Sequence, residues 1–299
     1  MNKMPNFLII GAAKAGTTSL HYYLNQHPEI YMSSIKEPMF FALEGKKLNF
    51  QNPDRGINYN AVTRLDEYIK LFEDVTTEIA IGETSPLYLY DSQAPKKIKH
   101  YIPDAKLIVL LRNPVERAYS AYSHLVREEY ETLSFSDSLV EEKNRIDNNW
   151  AHLWHYQQAG YYYSQLKRYF DIFPEEQIKV YLYKDFKANS ANFVSEIYKS
   201  LGVDDSFVPN LSKQNVSGQP RSRFLHNLVN RGNWFRKNIK MFLPQKLRSD
   251  VAQKIREWNL AEKPHLALDI KQKLEEQYRE DILKLEDLIQ YDLSHWLQN

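Results

Sequence analysis

The sequence predicts an α/β protein: a central parallel β-sheet flanked by helices on both faces, folded as a single domain over residues 1–299. Three observations predict it. Short apolar runs recur at 7–11, 78–82, 106–111 and 177–183, as expected of strands buried on both faces. Helical patterns separate most of them, and strand alternating with helix is the order that builds a parallel sheet. The first run leads through a small-residue loop into a helix, which is the opening half of a βαβ unit.

The elements follow in order. A strand at 7–11 precedes a helix at 17–26, whose Leu20, Tyr23 and Leu24 form an apolar stripe before His27-Pro28 ends it. A strand at 78–82 runs into the turn-prone Thr84-Ser85-Pro86 and a helix that includes 95–101. The run 106–111 is apolar from Leu107 onward and is the natural central strand. Helices are expected at 114–128, 135–147 and about 160–171, then a strand at 177–183 and a helix at 190–201. Along 114–128 the spacing gives a buried stripe of Val115, Tyr119, Tyr122 and Val126. Residues 210–224 read as a long polar loop of the kind that serves as a lid or binding loop. Ile270, Leu274, Tyr278, Ile282, Leu285 and Leu288 recur at helical spacing, so 266–289 reads as a helix docked on the core.

Thirty-nine basic against 38 acidic residues leave a net charge of +1, so the strongly basic footprint of a nucleic-acid binder is missing and any anion site must be local. With no cysteine there are no disulfides, zinc–thiolate sites or cysteine nucleophile. The first apolar run is too short for a signal-peptide core or a membrane span, and the chain reads as soluble and cytoplasmic.

Three constellations carry chemistry. In Gly11-Ala-Ala-Lys14-Ala15-Gly16-Thr17-Thr18-Ser19 a small-residue loop opens a helix with three hydroxyl residues, a P-loop-like cradle in which free backbone N–H groups meet one anion. A nucleoside triphosphate site places Lys directly after the second glycine and before Ser or Thr. Here Thr17 follows Gly16 and Lys14 lies inside the loop, which points to a different donor. Next, Arg112-Asn113-Pro114 puts a guanidinium at the carboxyl edge of the sheet, where open α/β folds bind ligands, and Ser120 and His124 share one face of the following helix. Two anion-ready sites at neighbouring strand ends suit a nucleotide with two separate phosphate groups. Last, Lys36-Glu37-Pro38-Met39-Phe40-Phe41 sets a carboxylate beside aromatics, a candidate general base.

Together with Gly82-Glu-Thr-Ser-Pro-x-Tyr88, Tyr183-Lys-Asp-Phe186 and Asn215-x-Ser-Gly-x-Pro-Arg-Ser222, these motifs resemble the sulfotransferases that use 3′-phosphoadenosine 5′-phosphosulfate (PAPS), in particular bacterial members of the branch that includes the heparan-sulfate enzymes. The resemblance implies a 5′-phosphosulfate loop at Lys14, Ala15, Gly16, Thr17, Thr18 and Ser19, and a 3′-phosphate site at Arg112 and Ser120. It implies Glu37 as general base, Ser217, Gly218 and Arg221 in a loop closing over the nucleotide, and Tyr183 near the adenine. The spent donor is 3′,5′-adenosine bisphosphate (PAP), and no metal is required. Several glycan sulfotransferases of this branch have histidine where this chain has Met39 and lysine where it has Thr84, which leaves His124 as a partner or alternative base. A magnesium-dependent nucleotide kinase and a non-catalytic nucleotide-binding module are the rival readings.

The acceptor is a small-molecule natural product or a saccharide. Trp150, His152, Trp154, His155, Tyr156 and Tyr161–Tyr163 are candidate wall residues, although aromatics this dense are as often core. Glu128, Glu129 and Glu131 weigh against a polyanionic acceptor.

Overall fold

The computed structural model describes residues 3–54, 56–211, 219–220, 260–261 and 266–297. Its centre is a five-stranded, wholly parallel sheet of β1 (Phe7–Gly11), β2 (Ile30–Met32), β3 (Ala80–Thr84), β4 (Lys106–Leu111) and β5 (Ile178–Leu182), in the order β2-β3-β1-β4-β5. Phe7 through Ile10 and Leu107 through Leu111 are almost wholly shielded from solvent, because both strands lie inside the sheet with helices over each face. This is the α/β architecture expected from the sequence.

Several elements agree with expectation to within a residue or two: helices Thr17–Leu24, Ala94–Tyr101, Pro114–Arg127, Phe135–Asp147, Tyr162–Phe170, Ser190–Leu201 and Leu268–Ile289. The last docks as expected. Tyr278 donates to the Gln157 carbonyl at 2.9 Å, and the Asp281 carboxylate accepts from the Tyr163 amide at 3.1 Å.

Three expectations need correction. The second strand lies two residues later than expected and takes in Thr84, which had read as part of a turn. The strand tolerates Glu83 and Thr84 because each buried polar side chain finds hydrogen-bond partners, which the local pattern does not reveal. β2 has only three residues directly after the Pro28 stop, too few for any period to show. On helix Pro114–Arg127 the buried face is Val115, Ala118, Ala121 and Leu125, while Tyr119, Tyr122 and Val126 are only half-buried. The two tyrosines pack at the edge against Phe135, at 5.2 and 5.1 Å between ring centroids.

Of the loop 210–224, Asn210 and Leu211 dock on the first helix through Gln26 and Tyr23, and Gln219–Pro220 pairs antiparallel with Leu260–Ala261. Ser217, Gly218 and Arg221 lie outside the described residues. Among the described residues no helix is long and apolar enough to cross a membrane.

Candidate active site

A cleft of about 1250 Å³ opens at the carboxyl ends of β1, β3, β4 and β5, the ligand edge of an open parallel sheet. Lys14, Gly16, Thr17, Thr18, Ser19, Glu37, Arg112, Ser120, His124 and Tyr183 all line it. Ala15 is fully buried behind them. Residues spread over most of the described chain therefore share one concavity.

The glycine loop that leads into helix Thr17–Leu24 begins where β1 ends. The Ala12 amide donates to the Leu110 carbonyl at 2.6 Å, which ties the loop to β4. Lys14 (φ 70°) and Gly16 (φ 95°) are both in the left-handed region. Gly16 is needed twice over, since a Cβ there would also lie 3.0 Å from the Tyr183 ring and 3.1 Å from Phe186. Gly16 caps helix Thr17–Leu24 and no side chain does so. The first-turn N–H groups of that helix have no intrahelical partner, and the helix dipole adds partial positive charge at the same place.

Arg112 follows the last residue of β4. Its guanidinium donates to the Lys14 carbonyl at 3.4 Å, pairs with Glu116 at 2.9 Å and lies 4.9 Å from the centre of the Tyr183 ring. Tyr162 fixes the backbone there by donating to the Arg112 carbonyl at 2.9 Å. Glu116 is well exposed, so the ion pair is weak and an incoming anion can compete for the guanidinium. Ser120 is buried two turns along the same helix, and the Asn113 side chain caps that helix by accepting from the Val115 and Glu116 amides.

Glu37 sits on a turn docked against β3. Its amide donates to the Thr84 carbonyl at 3.0 Å, and the Met39 amide donates to Ser85 Oγ at 3.0 Å. Lys36 pairs with the Glu37 carboxylate at the cleft wall. Phe40 and Phe41 anchor the turn from below, packed on Tyr68 at 4.4 and 5.2 Å. Thr84 hydrogen-bonds His21 Nδ1 at 3.1 Å. Burial and then the Lys36 charge bring His21 down to about 4, so it is neutral at pH 7.

His124 is neutral too: burial, then Lys14, then Arg127 lower it to about 3. Its Nδ1 accepts from Arg127 at 2.8 Å, and that partner assigns the ring hydrogen to Nε2. Of the expected aromatic wall, His152 and Trp154 line the cleft. The others are core: His155 bonds Tyr90 and the Trp150 carbonyl, Tyr156 donates to Glu131, Trp150 faces Arg145, and Tyr161 packs on Tyr278. Glu131 is itself buried and paired with Arg145, so its charge does not reach the cleft.

Several lining residues escaped the sequence reading. Lys184 and Lys187 stand three apart on helix Tyr183–Ala188, and Arg127 stands three beyond His124, spacings that put each pair on one face. Asn52, Asp54 and Asn60 come from a stretch with no periodic signal. Asn52 joins it to the 151–154 wall by accepting from the Ala151 amide at 2.9 Å.

Comparison with known proteins agrees with this architecture. The sulfotransferase family matches residues 5–207. A solved sulfotransferase from Alicyclobacillus acidocaldarius is similar with a TM-score of 0.79 and 34% identity, covering 99% of this chain and 100% of that one. The human bifunctional heparan sulfate N-deacetylase/N-sulfotransferase 3 is 29% identical over 211 residues, 68% of this chain and 23% of that protein. The membrane-associated sulfotransferase kil1 of Dictyostelium discoideum is 36% identical over 122 residues, 40% of this chain and 22% of that protein. The chain spans less than a quarter of the length of these two relatives. The family match sets the kinase reading aside, and the chain belongs to the sulfotransferase family.

Proposed function

We propose that this cleft moves a sulfuryl group from PAPS to a hydroxyl or amine of an acceptor, leaving PAP. The observation that carries the reading is the meeting of two cationic anion sites and one carboxylate on a single cleft. In this reading Lys14 and the Ala15–Ser19 backbone hold the 5′-phosphosulfate, and Arg112 with Ser120 holds the 3′-phosphate. Tyr183, already beneath Arg112, packs near the adenine.

The acceptor oxygen or nitrogen attacks sulfur in line with the phosphate–sulfate bond. A new bond to sulfur forms as that bond breaks, and PAP departs with the electron pair. Glu37 takes the acceptor's proton, worth about 10²–10⁴-fold. Lys14 lies against the charge growing on the bridging oxygen, an electrostatic contribution of about 10²–10³-fold. A neutral His124 with its hydrogen on Nε2 is suited to donating to a sulfuryl oxygen rather than to acting as the base. Asn52, Asp54, Asn60 and His152 set polar groups beside the apolar Ile57, Leu153 and Trp154, a mixed lining that suits a saccharide or a small polar natural product.

The test combines binding with turnover. PAP raises the melting temperature without magnesium. Labelled PAPS screened against hexosamines, oligosaccharides, phenols and aliphatic alcohols identifies the acceptor. Lys14→Ala and Glu37→Gln each lose at least a hundredfold in turnover, with Glu37→Gln still binding PAP. Stabilisation by ATP with magnesium but not by PAP overturns the donor assignment, and PAP binding with no transfer to any acceptor favours a non-catalytic binding module.

A further inference from the structure

A buried carboxylate outside the cleft lining is linked through Ser85 to the turn that carries Glu37. Glu83, on β3, is fully buried. Its Oε1 accepts from Tyr88 at 2.5 Å and Tyr68 at 3.2 Å, and its Oε2 accepts from Ser85 Oγ at 2.9 Å. With its hydrogen directed to Glu83, Ser85 Oγ presents a lone pair to the Met39 amide at 3.0 Å. The intervening Thr84 carbonyl receives the Glu37 amide. Glu83 and Thr84 at the end of β3 and Ser85 directly after it therefore grip a turn in which two non-glycine residues, Glu37 (φ 61°) and Met39 (φ 58°), are left-handed on either side of Pro38. Such backbone persists only where its surroundings over-determine it.

We propose that Glu83 and Ser85 are positioning residues for the base: Glu83 orients the Ser85 hydroxyl, Ser85 fixes the Met39 amide, and the fixed turn presents the Glu37 carboxylate to the acceptor. This rests on Glu37 being the base. The protonation state of Glu83 sets which way the Ser85 hydrogen points. Burial pushes Glu83 up to about 7, with its three hydroxyl partners opposing and the Glu37 charge adding. The titratable groups facing it are Tyr68 and Tyr88, both held far above the usual tyrosine range and therefore neutral, and Glu37. Above pH 7 the carboxylate accepts from Ser85. Below pH 7 a protonated Glu83 donates to Ser85 instead, and the serine hydrogen must turn elsewhere.

The test uses the full chain and four variants: Glu83→Gln, Ser85→Ala, Ser85→Thr and Glu37→Gln. PAP release from PAPS is followed with the best acceptor from the screen and with water alone. Ser85→Ala is expected to lose about tenfold in kcat with KM and PAP affinity unchanged, and hydrogen exchange at the Met39 amide to speed up. Ser85→Thr, which keeps the oxygen, recovers part of both. Wild-type kcat rises through a step near pH 7 that Glu83→Gln lacks, and carbon-13 NMR shows a glutamate carboxyl titrating near 7 only when Glu83 is present. Wild-type kcat and Met39 exchange in Ser85→Ala overturn the inference. Equal losses of kcat and PAP affinity also overturn it, by assigning a merely structural role. If Glu83→Gln does not fold, the serine pair decides alone. Full turnover in Glu37→Gln refutes the base assignment itself, a result distinct from the others.

Discussion

Gly16→Ala tests the phosphate loop with controls that the chain itself supplies. Gly16, Gly45 and Gly202 all have positive φ, at 95°, 70° and 81°. A Cβ at Gly45 or Gly202 meets nothing within 4 Å, so alanine there costs only the left-handed backbone, about 1–2 kcal/mol. At Gly16 the same backbone cost is joined by ring atoms of Tyr183 at 3.0 Å and Phe186 at 3.1 Å. Those rings must move by a few tenths of an ångström, and such overpacking adds about 1–3 kcal/mol. The sum is about 2–5 kcal/mol, against about 1–2 for either control. At about 2–4 °C per kcal/mol for a domain of roughly this size, Gly16→Ala should melt at least about 4 °C below wild type and at least about 2 °C below Gly45→Ala. Because Tyr183 lies under the Arg112 guanidinium, displacing it should also weaken PAP at least tenfold, about 1.4 kcal/mol, whereas Gly45→Ala binds PAP normally. Scanning calorimetry and titration calorimetry with PAP measure the two effects. A Gly16→Ala protein that melts with Gly45→Ala and keeps wild-type PAP affinity refutes the reasoning.

Two further perturbations act on other parts of the site. Arg112→Lys keeps the charge but loses the planar contact with Tyr183 and the fork that can grip two phosphate oxygens, so PAP affinity should fall about tenfold by titration calorimetry while the melting temperature without ligand stays within about 2 °C. Acid should destabilise the fold. Burial holds His21, His152 and His155 at about 4 and His124 at about 3, below the unfolded value, so their contribution is complete above pH 6.5 and is lost as pH falls toward 4. Glu83 at about 7, Asp281 at about 6 and a raised Glu142 act oppositely, gaining stability as pH falls through their folded values. The imidazoles outnumber the carboxyls, so unfolding near pH 5 should take up roughly one to two protons, each worth about 1.4 kcal/mol per pH unit. Denaturant midpoints between pH 4.5 and 7 measure the slope, and a flat or inverted profile contradicts the assignment of neutral buried histidines.

Much of the candidate site was legible because its signals are local. A phosphate loop is one strand end, a few small residues and one helix start, all within about a dozen positions, and Arg112, Ser120 and His124 lie within one strand–helix junction. Glu83 was not legible as a support because its partners Tyr68 and Tyr88 belong to separate helices, and only the fold brings three hydroxyls around one carboxylate. The aromatic run 150–163 misled in the other direction. Aromatic residues at that density are equally compatible with a wall and a core, and most of these are held inside by partners such as Glu131, Tyr90 and Tyr278.

Periodicity and motif spacing are properties of short stretches of chain, so the α/β class, the central strands, the long helices and the displaced Lys14 that distinguishes this loop from a nucleoside triphosphate site could all be read from the order of residues. Packing in three dimensions settles which residues meet at the cleft, that His124 is neutral and held by Arg127, that Glu131 is withdrawn into a buried ion pair, and that the end of β3 holds the Glu37 turn. Each of these depends on groups distant in sequence, or on burial, and both are set when the helices close over the sheet.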